Sequence, residues 1–412
     1  MTYRTRLIAS ALALAVTPAL LPDAVAAGKQ SPISAQDIAS LVETHSTPPI
    51  SMSVYATGLN NPRGLTFGPD GNLYVAEGGL GGTHSTTAKQ CQQVPDVGPY
   101  KGSATGGRIS KIDRSGHRTT VTAALPSSQT NSATGSFISG VADVAFIGHT
   151  MYALLAGAGC SHGVIGTDNG VMRIAANGSA TMIADLSVYQ KAHPVQNPNP
   201  GDFEPDGTWY SMLAVHGYLY AVEPNHGELV RISPHGSIKR VVDISASQGH
   251  IVPTALAYHE HFFVGNLNTF PIVEGSSKVL KLKHNGQLRT AVNGLTTVLG
   301  LAFDRRDRMY VLENTTGNPL PTPGTGTIVR INPSGLRETI ITGLVLPTGM
   351  TFGPDGALYV SNVGFGFPPT GMGQVLRFDL GDCERDERGN QEQQGMERCH
   401  RESESLPIAT TW

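Results

Sequence analysis

Charge is scarce in this chain: only 15% of its 412 residues are Asp, Glu, Lys or Arg, and the formal net charge is -3. No stretch gathers Lys and Arg into a patch or stripe, which removes nucleic acid from the partners to consider. Cysteine is limited to four residues, and none stands in the Cys-x-x-Cys spacing of a structural zinc site. No phosphate-binding P-loop occurs. The one long apolar run, residues 7–21, is interrupted by Thr17 and Pro18 and followed by Pro22 and Asp23. It is short for the roughly 20 residues that cross a bilayer.

That run belongs to an export signal. Arg4 and Arg6 precede it, and Ala24-Val25-Ala26 follows as a small-residue cleavage site. The expected organisation is a signal peptide over 1–27, a helix and linker over 28–50, a propeller over 51–380, and a polar tail over 381–412. Ser34-Ala35-Gln36-Asp37 reads as the cap of a helix running to about Thr44. A secreted or periplasmic monomer with no membrane span after signal removal is the reading. Export permits disulfides. Of the three pairings open to four cysteines, Cys91–Cys160 with Cys383–Cys399 is expected. The first two residues lie in long loops of adjacent repeats, and the second two bracket the tail.

What the chain has in quantity is glycine (49) and proline (27), and they punctuate a repeat. Gly64-Leu65-Thr66-Phe67-Gly68-Pro69-Asp70-Gly71-Asn72-Leu73-Tyr74-Val75-Ala76-Glu77 returns closely at 349–362. Weaker copies place the marker aromatic at Tyr152, Tyr220, Phe263 and Tyr310, beside Tyr74 and Tyr359. A second hairpin follows each marker, with turn pairs such as Asn177-Gly178 and Asn285-Gly286. Six repeats of four strands predict an all-β fold, a six-bladed β-propeller, and the repeats resemble those of NHL or TolB-like propellers. The sixth repeat lacks a fourth strand, whereas residues 52–59 resemble one. The N-terminal strand is therefore expected to complete the last blade.

The phrase Asn61-Pro62-Arg63-Gly64-Leu65-Thr66-Phe67 and the block 201–212, which contains Trp209, resemble the exported ScyD/ScyE family of NHL-like propellers. The likeness covers about Met52 to Asp379. It implies an exported propeller and carries over no catalytic residue.

Function is read at the face where second strands end, since loops on a rigid scaffold commonly hold it. Three places beyond the marker aromatics stand Glu77, Leu155, Glu223, Asn266, Glu313 and Asn362. Such oxygen donors suit a hard divalent cation such as calcium, with Glu77, Glu223 and Glu313 as ligands; hydrogen bonding to loop backbone is the structural alternative. Long inserts at 78–106 and 187–208 enter the same face, the second carrying Asp202, Glu204 and Asp206. Arg63, Asp206, Glu223, Asn225 and His226 form the expected pocket, with Glu313 and Asn362 on its rim. Lactonases of the gluconolactonase type hold a metal near the starts of innermost strands. The corresponding positions here are Arg63, Ala142, Tyr210, Thr254, Leu299 and Thr348, with Asp143 one place along and expected to point elsewhere. Two functions stay open: a binding or accessory module for a small molecule, glycan or protein, and a metal-assisted hydrolase or lyase using the acidic ring with Asp206 or His226. His259-Glu260-His261 falls in a hairpin turn on the opposite face.

Overall fold

In the computed structural model, residues 34–46, 49–130, 137–364 and 371–381 are described. The signal segment, the Cys383–Cys399 pair and nearly all of the tail lie outside them. The described chain forms six antiparallel sheets, each built on four strands in simple up-and-down order; two of them, those of blades one and five, carry a short fifth strand at the outer edge. Innermost strands are Pro62–Phe67, Val141–Ile147, Ser211–Val215, Pro253–His259, Val298–Phe303 and Gly349–Phe352. Second strands are Leu73–Glu77, Thr150–Leu155, Tyr218–Glu223, His261–Asn266, Met309–Glu313 and Leu358–Asn362. The marker aromatics and the residues three places beyond them fall where the repeat placed them.

Second strands are sandwiched between neighbouring blades and so are apolar on both sides. Leu73–Glu77, Met309–Glu313 and Leu358–Asn362 are buried at every residue. The core is accordingly a set of layers between blades. Tyr310, Leu312 and Ile341 of blade five pack on Met350, Leu358 and Phe378 of blade six. Blade six in turn lays Tyr359 and Val375 against Leu65, Val75 and Ile112 of blade one.

Ring closure follows the sequence reading. Ser51–Leu59 pairs antiparallel with Gly373–Asp379, with Met52 opposite Phe378 and Val54 opposite Leu376. Pairing removes the open edge of the last blade. The Ser34 capping box forms as expected, its hydroxyl accepting the Asp37 N–H and the Asp37 carboxylate accepting the Ser34 N–H. The helix, however, spans only Ala35–Ala39 rather than reaching Thr44. Glu43–Thr44 instead extends along the exposed edge of blade five, opposite Thr342 and Ile341. Backbone groups that a strand edge can satisfy are worth more there than in one further helical turn.

Three blades repeat one polar cluster at the turn-bearing face. Tyr74 donates to Asp70 at 2.9 Å, and Lys111 pairs with the same carboxylate at 2.7 Å. Tyr310 and Arg308 meet Asp304 in blade five at 3.1 and 2.5 Å. Tyr359 and Arg377 meet Asp355 in blade six at 3.0 and 2.9 Å.

Removing residues through Leu59 takes away the fourth strand of blade six and uncovers Leu376 and Phe378, both fully buried. At about 2 kcal/mol per buried side chain, the truncated chain is expected to lose its cooperative thermal transition and to aggregate. Circular dichroism melts with size-exclusion chromatography check this.

Candidate functional site

Beside the end of each second strand the chain enters the innermost strand of the same blade, and its buried backbone groups there need partners. The acidic and amide ring supplies them in five blades. Glu77 accepts the Asn60 N–H at 2.6 Å, Glu223 that of Thr208 at 3.0 Å, Glu313 that of Thr296 at 2.6 Å, and Asn362 that of Val345 at 2.9 Å. Asn266 accepts from Lys278 N–H at 2.8 Å and donates to the Ile251 carbonyl at 2.9 Å. The remaining acceptor capacity is also taken. Arg108 and Ser110 reach Glu77, the His226 N–H reaches Glu223, and the Thr327 hydroxyl reaches Glu313. Burial pushes the Glu313 carboxyl up against the hydrogen bonds from Thr327 and Thr296. Each group serves its own blade. Among the described residues no three His, Cys, Asp or Glu side chains gather closely enough to hold a metal ion.

The starts of the innermost strands tell a different story. The ladder is irregular there in blades one, two, four and five, between Pro62 and Leu65, Val141 and Asp143, Pro253 and Ala255, and Val298 and Gly300. A bulge adds a residue and resets the side-chain alternation beyond it. This corrects the expectation for Asp143. The pairing runs from Val141 opposite Leu155 to Asp143 opposite Leu154, and the Asp143 carboxylate lies against the innermost strands of both neighbouring blades. One carboxylate oxygen accepts the Met212 N–H of blade three at 2.8 Å, and the other the Val144 N–H at 2.9 Å. Gly64 of blade one is required beside it, because a Cβ there would stand 1.9 Å from Asp143 Oδ1.

The remaining start positions staple blades together. Thr254 donates to the Val298 carbonyl of blade five and Thr348 to the Pro62 carbonyl of blade one, each at 2.6 Å. Arg63 is buried, not presented at a mouth. Its guanidinium donates to the Ile138 carbonyl and to the Tyr210 hydroxyl. Tyr210 then crosses the ring to donate to the Thr348 carbonyl at 2.9 Å. Burial lowers the Arg63 pKa and pushes the Tyr210 phenol up to about 12, with Arg63 pulling against the latter. Burial also pushes Asp143 up to about 7 despite two N–H donors. These donors do not fit a divalent cation. A guanidinium lies at the centre, and both oxygens of the lone carboxylate already accept N–H groups.

The long inserts lock to each other. Cys91 and Cys160 form a disulfide, as expected from their loops. Tyr100 donates to Glu204 at 2.8 Å, His162 Nε2 stands 3.5 Å from the other Glu204 oxygen, and Ser128 Oγ lies 3.0 Å from His162 Nδ1. Asp206 accepts the Ser161 N–H and hydroxyl at 2.7 Å and pairs with Lys191 at 2.5 Å. His226 Nε2 is 3.1 Å from the Glu204 carbonyl, and Asn225 donates to Asp202 at 2.9 Å. Burial raises the Glu204 carboxyl, opposed by His162 and Tyr100. Ser128, His162 and Glu204 stand in the order of a hydrolytic triad. Ser128 and His162 are completely inaccessible, however, and a nucleophile must reach substrate. Tyr100, Ser128 and His162 escaped the sequence reading; the Cys91–Cys160 link, which brings Ser161 and His162 to the acidic insert, was the available pointer.

Thus Glu223 holds the His226 N–H, and Asn225 and His226 bond Asp202 and Glu204 of the insert that also carries Asp206, while Arg63, Glu77, Glu313 and Asn362 each sit in separate networks. A cleft of about 410 Å3 lies elsewhere, between blades three and four at the turn-bearing face.

No family model and no curated protein matches the chain. Solved structures do. A protein described as an oxidoreductase (glucose dehydrogenase) from Thermus thermophilus shares 18% identity at a TM-score of 0.51, covering 80% of this chain and 100% of its own. A gluconolactonase from Xanthomonas campestris gives 11% and 0.49 over 81% and 93%. A virginiamycin B lyase from Staphylococcus aureus gives 11% and 0.43 over 80% and 99%. At these identities the first likeness shows the fold alone, and the other two carry no argument.

Asp143 yields a pH test. Its folded pKa is raised from 3.8 to about 7, so the folded state binds the proton more tightly than the unfolded one. The contribution is favourable at low pH and is lost as pH rises from about 4 to 7, at up to about 1.4 kcal/mol per pH unit. The stability difference between wild type and Asp143→Asn is expected to shift in favour of the variant across that window, measured by denaturant unfolding at pH 4, 5.5, 7 and 8. A pH-independent difference contradicts it.

Proposed function

We propose that the protein is an exported binding or accessory module that engages a macromolecular partner through its loop-rich face. The observation supporting this reading is the interlocked insert platform of blades one to three. The disulfide, Tyr100–Glu204 and Ser161–Asp206 hold loops from three blades in one arrangement, and a surface fixed before binding loses less entropy on association. The platform also carries apolar side chains that water does not favour. Leu80 is 53% exposed, Ile165 63% and Val188 57%, and all three lie on connections at this face. Apolar residues on an ordered, largely polar surface fit a protein or glycan interface.

Immobilised mature protein is expected to retain a ligand from spent culture medium. The double variant Leu80→Asp/Val188→Asp is expected to lose it with an unchanged melting temperature; equal retention overturns the reading. Metal analysis of purified protein tests the calcium expectation for Glu77, Glu223 and Glu313. Because these carboxylates are consumed within their blades, less than one equivalent per chain is expected. A stoichiometric ion lost in Glu223→Gln would restore the metal-assisted hydrolase.

A further inference from the structure

The six repeats make the molecule its own comparison set. In blades one, five and six an aspartate joins the marker tyrosine and a nearby cation. Blade three keeps the tyrosine and the cation, Tyr220 and Arg231, facing each other across the second and third strands. It lacks the acid. Four places before the marker, where Asp70 and Asp355 stand, it has His216, and its turn has lost the proline of the Gly-Pro-Asp-Gly form. Arg231 lies over the Tyr218 ring at 4.4 Å, and no carboxylate pairs with it among the described residues.

The 410 Å3 cleft opens beside this unmatched pair. Its volume falls within the roughly 300–1,000 Å3 of small-ligand sites. Besides Arg240, which pairs with Glu228 at 2.6 Å, two further cations line it, Lys239 and Lys283, both exposed and neither in an ion pair among the described residues. Glu260, the lining carboxylate, pairs with none of the three. The apolar wall is aromatic: Phe262 packs 4.4 Å from Tyr220 and 5.0 Å from Tyr258, whose ring is 37% exposed. Blade two also lacks the aspartate, but its Arg173 stands exposed and does not line this cleft.

We propose that the cleft between blades three and four binds a small acid carrying more than one carboxylate on ring units. One carboxylate takes the place beside Arg231 and Tyr220 that Asp70, Asp304 and Asp355 take in their own blades. A second meets Lys239 or Lys283, and the ring faces lie against Tyr258 and Phe262. Guanidinium and carboxylate match as a charge-assisted pair, and aromatic walls accept both sugar and aromatic rings. Uronic-acid oligosaccharides and aromatic polycarboxylates share this chemistry.

Isothermal titration of the mature protein with trigalacturonate, benzene-1,3,5-tricarboxylate and neutral maltotriose tests the site. Saturable binding of at least one acid without binding of maltotriose is expected, and the acid that binds identifies the source. Arg231→Met, which keeps the aliphatic stem over Tyr218, is expected to weaken it about tenfold or more, and Arg173→Met to leave it unchanged. His216→Asp sets a competing carboxylate among the cations that line the cleft and is expected to weaken binding with an unchanged melting temperature, so loss of binding there is not loss of fold. Failure of both acids to bind, equal binding of maltotriose, or indifference to Arg231→Met overturns the proposal.

Discussion

The ring depends on how the chain enters each innermost strand. At that point the backbone leaves N–H and C=O groups that no ladder satisfies and no bulk water reaches. The protein meets the demand from two directions: acids and amides at the ends of second strands bond the entering backbone from one side, while residues at the strand starts bond the backbone of a neighbouring blade from the other. Glu77, Glu223, Glu313, Asn266 and Asn362 belong to the first set. Arg63, Asp143, Thr254 and Thr348 belong to the second. Substituting any one leaves a buried polar group unpaired, at a cost of about 1–3 kcal/mol.

That constraint explains what could be read in advance. Glycine turns, marker aromatics and strand ends are local, and the period-two and turn rules placed them, including the strand that closes the last blade. The ring of acids was also legible as a pattern. Its use was not, because whether Glu77 faces solvent or the Asn60 N–H depends on a loop seventeen residues away folding back onto it. Asp143 shows the limit most clearly. Alternation along a strand is sound until a bulge intervenes, and nothing local in Val141-Ala142-Asp143 announces one. The helix after Ser34 was cut short for a similar reason, since the edge that captures Glu43–Thr44 lies about three hundred residues away in blade five.

The residues behind the family resemblance acquire a physical meaning. Pro62, Arg63 and Gly64 build the axial staples, Asp206 anchors the inserts, Trp209 is fully buried, and Tyr210 bridges blades three and six. They are stabilising parts of one architecture. The chemistry that distinguishes this propeller then resides in what the repeats fail to share: the inserts of blades one to three, and the turn of blade three without its acid.

Strand closure has a temporal side. Ser51 pairs with Asp379, so the two halves of the last blade come from opposite ends of the propeller sequence. Five blades can form from neighbouring segments as the chain lengthens, but the sixth waits for a contact of very long range, which is entropically slow. The first blade strand to be made is the last to find its place, and until it does the ring remains a curved, open stack.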